Sequence, residues 1–197
     1  MITLLKNGKN MDVFIDSESS GLIGYTNRDL SNLNNLPFWQ IEGIQNAYAL
    51  TSDFYRLTDI LRYTEINLEH LSTKNIQTVV IPIYRKAIKQ YFQYSNKPVE
   101  SMDINIILFQ NDQIFMIDRW FVVNQVQSPV CLGEYTSLFE QSLRNIDQTL
   151  DNRLKMTYAY QDYAKYRNVQ PRFVNHLVIS NGVIKNEPFS LNSNPVI

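Results

Sequence analysis

Cysteine is nearly absent: Cys131 is the single one among 197 residues. One thiol cannot close an intramolecular disulfide or anchor a zinc or iron–sulfur cluster, so a reducing compartment is expected and no cofactor or metal is implied. Charge of one sign is missing too. Lys and Arg number 18 against 19 Asp and Glu, a formal net charge of -1, without the basic excess of a typical nucleic-acid surface. No apolar run approaches the roughly 20 residues that span a bilayer, and the Met1–Lys9 stretch is too short for a signal peptide. Glycine is scarce at 6 and histidine at 2. The phosphate-cradling G-x-x-x-x-G-K-[ST] loop, the dinucleotide G-x-G-x-x-G turn and the H-E-x-x-H metal helix do not occur. These absences point to a cytoplasmic protein with neither membrane nor nucleic acid as partner.

What is present reads as a folded chain, because 44% of residues are hydrophobic and the charges balance. Thr3–Lys6 and Asp12–Asp16 flank Asn7-Gly8, a tight-turn pair that favours positive φ, and so form a first hairpin. A polar loop, Ser17 to Gly21, follows. Phe38–Ile41 and Ile44–Leu50 form a second hairpin turning at Glu42-Gly43. Behind a Ser52 or Thr51 cap, with Asp53 in the first turn, Leu57, Ile60 and Leu61 recur at helical spacing. Ile76, Val80, Ile83, Ala87 and Tyr91 repeat that spacing in a second helix, which Pro82 must either start or kink. The period then returns to strands over Ile104–Phe109, Gln113–Asp118 and Trp120–Gln125. A third helix runs from Tyr135 to Leu150 and a fourth from Arg153 to Tyr166. His176–Ser180 and Val183–Lys185 close the chain with another hairpin around Asn181-Gly182. Hairpins with helices bunched in pairs predict an α+β fold of two antiparallel sheets covered by helix pairs, a four-layer αββα sandwich. One domain is expected over residues 1–190, with a tail over 191–197.

Candidate chemistry is sparse. His70 reads as exposed and His176 as the end of a sheet, and no elbow such as G-x-S-x-G brings Ser17, Ser19, Ser20 or Cys131 to either. Cys131, between Val130 and Leu132, reads as a small buried apolar residue. Asp147 and Asp151, spaced i, i+4, read as a solvated helix face. The fourth helix carries Tyr158, Tyr160, Tyr163 and Tyr166 near Lys155, Lys165, Arg167 and Arg172. That combination suits either base stacking or, with more weight, the sealing of helix contacts. A strand starting at residue 2 or 3 places the chain end at the sheet. There, a terminal threonine could use its own α-amine as base.

Several segments together resemble the proteasome β-subunit and HslV-like N-terminal-nucleophile hydrolases. Met1-Ile2-Thr3-Leu4-Leu5 is similar to the family's Met-Thr-Thr start, and Val13-Phe14-Ile15-Asp16 to its apolar strand closing on Asp. Phe38–Leu50 is similar to its second strand pair, Ile104–Asp118 to its apolar hairpin ending in Asp, and Val130-Cys131-Leu132-Gly133 to the lead-in of its third helix. The resemblance implies the four-layer sandwich, ring assembly as a homo-oligomer, no cofactor, an ATPase unfoldase or active paralogue as partner, and Thr3 and Asp16 as the surviving site residues. The pattern also departs from the family. Ile2 fills the slot of the nucleophilic threonine and its bulk should prevent removal of Met1; no lysine falls near Leu36-Pro37-Phe38; Glu134-Tyr135 replaces the helper Ser-Gly; and a later Asp is Asn168. Two functions follow from the resemblance. The favoured one is a non-catalytic structural subunit, a pseudoenzyme. The alternative is a threonine-type peptidase with Thr3 exposed by processing. A stand-alone binding module using the tyrosine-rich helix is a third.

Overall fold

Alternating apolar strands joined by residues that tolerate positive φ build both sheets. A computed structural model describes residues 1–16, 33, 36–51, 56–92, 105–133, 136–166, 172–187 and 189–191. The Ser17–Gly21 loop, Ser52 and Asp53, Ile104, Glu134-Tyr135, Arg167 and Asn168 lie outside the described residues, as does the chain beyond Leu191. The chain divides into two compact units, Met1–Ser31 with Ser128–Ile197, and Asn32–Gln127.

In the first unit, β1 (Ile2–Asn7) and β2 (Asn10–Asp16) pair antiparallel from Ile2↔Ile15 to Asn7↔Asn10. Gly8 turns the chain between them at φ 60, a value that carries no steric cost only for glycine. β8 (Val130–Leu132), β9 (Arg172–Ser180), β10 (Val183–Asn186) and β11 (Phe189–Leu191) complete a six-stranded sheet of order β10-β9-β2-β1-β8, with β11 also on β9. Leu191, assigned above to the tail, is a buried strand residue that closes this sheet on the helices. α4 (Thr136–Asn145) and α5 (Asn152–Tyr166) cover one face, where Leu5, Phe14, Val174 and Leu191 meet Phe139, Leu143, Met156 and Tyr160. α4 stops five residues before the predicted end. Asp147 and Asp151 therefore lie in the connection and not on a helix face. Asp147 accepts from the Thr149 amide and hydroxyl, and Asp151 caps α5 by accepting from the Arg153 and Leu154 amides.

The second unit is a five-stranded antiparallel sheet of order β3-β4-β5-β6-β7, made of Phe38–Gln40, Ala47–Thr51, Ile106–Gln110, Gln113–Ile117 and Val123–Val126. Its helical layer is α1 (Arg56–Arg62), a one-turn α2 (Thr73–Asn75), a π-helical stretch Ile76–Val80, and α3 (Ile81–Phe92). Val80, Tyr84 and Ile88, spaced by four, pack on Trp39, Ala49, Leu108 and Phe115. Pro82 is absorbed without ending the helix. The turn before it is widened, with the Ile81 amide donating to the Ile76 carbonyl five residues back, which is how helices commonly make room for a residue that lacks an amide. The third strand of the meander begins at Val123 and not at Trp120. Asp118 takes over the backbone of Arg119–Val122: its Oδ1 accepts from the Trp120 and Val122 amides at 2.9 Å each. The α+β class, with antiparallel sheets and helices on each, is thus the one the sequence pattern predicts.

Candidate functional site

The chain start lies in β-sheet geometry on the helix-covered face of the first unit. The Asp16 amide donates to the Met1 carbonyl at 2.9 Å, and the Met1 ammonium lies 3.9 Å from Asp16 Oδ2. Asp16 is buried, at 2% exposure. Gly133, leaving β8 at φ +116, borders the same corner: a Cβ there would sit 3.4 Å from Met1 Cα. A carboxylate beside an α-amine, bordered by Gly133, is thus built by β1, β2 and the end of β8.

Thr3 lies inside β1, two residues from the chain start. It pairs with Phe14 on one side and Cys131 on the other, is fully buried, and its Oγ1 lies 3.7 Å from Cys131 Sγ. A hydroxyl two positions inside a strand has no free α-amine of its own residue to take its proton. Cys131 is buried as expected. Burial pushes its thiol up to about 12, with the Thr3 contact acting weakly the other way, so the thiolate that a nucleophile needs is not formed near neutral pH.

A second polar cluster lies farther along the same sheet face, and His176 belongs to it. His176 is not at a sheet end. It sits in the middle of β9, 5% exposed, stacked on Phe14 with ring centroids 4.3 Å apart. Arg153 Nε donates to Nδ1 at 2.9 Å, so the ring proton is on Nε2, 3.3 Å from Asp12 Oδ1, a long contact. Asp12 Oδ2 accepts from Asn152 Nδ2 at 2.7 Å and from Asn7 Nδ2 at 3.4 Å. Arg153 continues to the Glu187 carboxylate. Desolvation raises the Asp12 carboxyl, but the bonds from His176 and Asn152 outweigh it and hold its pKa below the ordinary 3.8. With Nδ1 taken by Arg153 and Nε2 facing Asp12, the group ties α5 to the sheet. Polar residues between apolar neighbours in the strand interiors, Asp12 between Met11 and Val13 and His176 before Leu177-Val178-Ile179, are the sequence signal that could have revealed it.

Among the described residues no group of three His, Cys, Asp or Glu side chains is placed to hold a metal ion, and no helix is long and apolar enough to cross a membrane. The tyrosine-rich helix splits by face. Tyr160 is core, Tyr163 meets Phe139 edge-on at 6.0 Å, and Tyr158 is exposed. Lys155 is buried at 8% exposure, which removes it from any stacking platform. In the second unit a depression of about 530 Å³ between the β3–β4 loop and α1 contains Arg62, whose guanidinium is held by the Leu36 and Phe38 carbonyls.

Two antiparallel sheets, each under its helices, with the chain start paired into the first, form an α+β fold that matches the N-terminal-nucleophile type in its solved structural neighbours. A solved structure described as Thiobacillus denitrificans BPH superposes at a TM-score of 0.58, with 11% identity and 98% of both chains covered. The same protein in complex with epoxomicin gives 0.53, at 8% identity over 98% of this chain and 99% of that one. HslV from Trypanosoma brucei gives 0.48, at 12% identity over 95% and 97%. No family model and no curated protein matches the sequence.

Proposed function

We propose that this chain is a proteasome-like subunit that assembles with copies of itself, or with an active paralogue, and does not itself cut peptides. The observation that carries this is the position of Thr3: internal to β1, fully buried, its hydroxyl against Cys131. The other parts of a threonine-protease centre, the lysine near Leu36 and the helper serine after Gly133, have no counterpart in the sequence, so activation of a nucleophile is missing along with its exposure. Asp16 is retained in this reading as a structural partner of the strand start. An ATPase unfoldase or an active paralogue would supply unfolding or cleavage, the chain needs no cofactor, and the cytoplasm is its compartment.

One observation favours the alternative peptidase. Asp16 lies beside an α-amine, as an orienting carboxylate would. For Thr3 to serve, Met1 and Ile2 must be removed, and with them the Ile2 pairings to Ile15 and Leu132. Native mass spectrometry and a fluorogenic peptide assay on the same sample separate the two. A multi-subunit particle with no hydrolysis above background, and no change in Thr3→Ala, is the expected result. Hydrolysis abolished by Thr3→Ala would establish the peptidase, and a monomer would refute assembly.

A further inference from the structure

The turn between β6 and β7 is held far more firmly than a connection needs. Asp118 caps two amides, the Phe121 amide donates to the Asp118 carbonyl at 2.8 Å, and Phe121 adopts φ 62. That conformation is costly for a bulky side chain and persists only where its surroundings impose it. Arg85 of α3 supplies part of that restraint. Its guanidinium lies 4.7 Å from the Phe121 ring centroid and reaches the Trp120 carbonyl at 3.5 Å. The result is an indole and a valine held outward, Trp120 at 57% exposure and Val122 at 49%.

The neighbouring exposed charge is mainly positive, Asp118 being the one carboxylate of the turn and committed to its amides. Arg119 lies over the Trp120 ring at 5.1 Å, and Lys86 and Lys89 line a depression of about 480 Å³ on α3 with Arg85 and Pro82. α3 contains no Asp or Glu. Among the described residues no carboxylate is paired with Arg119, Lys86 or Lys89. In a chain whose net charge is -1, this is a local concentration of positive charge, balanced by acids elsewhere. Large exposed aromatic anchors beside cations are the composition of protein interfaces and their hot spots.

We infer that this surface docks a short acidic segment of a partner protein, with one large apolar side chain against Trp120 and Val122 and carboxylates over Arg119, Lys86 and Lys89. A nucleic acid is less well matched: a long polyanion would have to lie on a chain with no net positive charge, whereas a short segment meets only the patch. The inference is independent of whether Thr3 can be exposed, since the patch lies wholly within the second unit.

The test uses the full chain and three fluorescein-labelled probes: a short Glu/Asp peptide with a central Phe, the same peptide with Gln and Asn in place of the acids, and single-stranded oligothymidine of matching charge. Fluorescence anisotropy should show binding of the acidic peptide alone. Binding should weaken about tenfold in Trp120→Ala and again in the Lys86→Glu, Lys89→Glu pair, a loss of about 1.4 kcal/mol for each tenfold, and should fall with salt. Circular dichroism of these exposed-site variants checks that they fold. Absence of peptide binding, binding unchanged by the variants, or tighter binding of the oligonucleotide would each overturn the inference.

Discussion

Asp12→Asn is expected to lower folding stability by about 3 kcal/mol, the range for removing one partner of a buried, hydrogen-bonded charge. Every group facing Asp12 is a donor: Asn152 Nδ2 at 2.7 Å, Asn7 Nδ2 at 3.4 Å and the protonated Nε2 of His176 at 3.3 Å. An asparagine amide would turn a donor towards donors. Urea denaturation at neutral pH gives the difference directly. Its pH dependence follows from the lowered Asp12 pKa. A carboxylate held below its unfolded value contributes stability in full above that value, and loses it as pH falls through the folded one. The gap between wild type and Asp12→Asn should therefore stay constant from neutrality down to about pH 4 and narrow below the ordinary 3.8. A gap independent of pH down to the acid transition would show that the carboxylate is not held ionised by its neighbours.

Gly43→Ala is expected to be as costly, about 3 kcal/mol or more, for a different reason. Gly43 has φ +89, and a Cβ placed on it would lie 2.1 Å from the Ile66 carbonyl oxygen. Backbone cannot swing aside as a flexible side chain would, and the Ile66 amide is fixed to the Glu42 carbonyl at 3.1 Å. Overlap and positive φ therefore add. Gly8→Ala isolates the second contribution. It has φ +60 but no atom within 4 Å of the added carbon, so it should cost only about 1 kcal/mol. Equal losses in the two variants, measured by thermal or urea unfolding, would show that the Ile66 approach does not constrain the loop.

The sheets were legible because each hairpin carries its own signal. Asn7-Gly8 and Asn181-Gly182 lie between short apolar runs that pair antiparallel, and φ is positive at Gly8, Asn181 and Gly182. Helix α5 was legible to within a residue. What failed locally was decided by side chains bonding to backbone. Asp118 converts the predicted start of a strand at Trp120 into a capped turn, and α4 ends at Asn145 where the spacing suggested continuation to Leu150, with Asp147 and Asp151 bonding the backbone of the connection instead. Such competition between polar side chains and regular ladders leaves no trace in hydrophobic periodicity. His176 was misplaced because its environment is made by Phe14, Arg153 and Asp12, partners 23 to 164 positions away in sequence. The burial of the Thr3 hydroxyl involves Cys131 in β8, a contact 128 positions away in sequence that no local pattern around Thr3 contains.

Intact-mass spectrometry after incubation with epoxomicin, the compound in the structurally similar Thiobacillus denitrificans complex, tests the central claim most directly. Adduct formation requires a threonine whose hydroxyl and α-amine are both free. With Thr3 inside β1, the mass should equal that of the untreated chain, Ile2 retained. A species beginning at Thr3 and heavier by one inhibitor molecule would contradict the account.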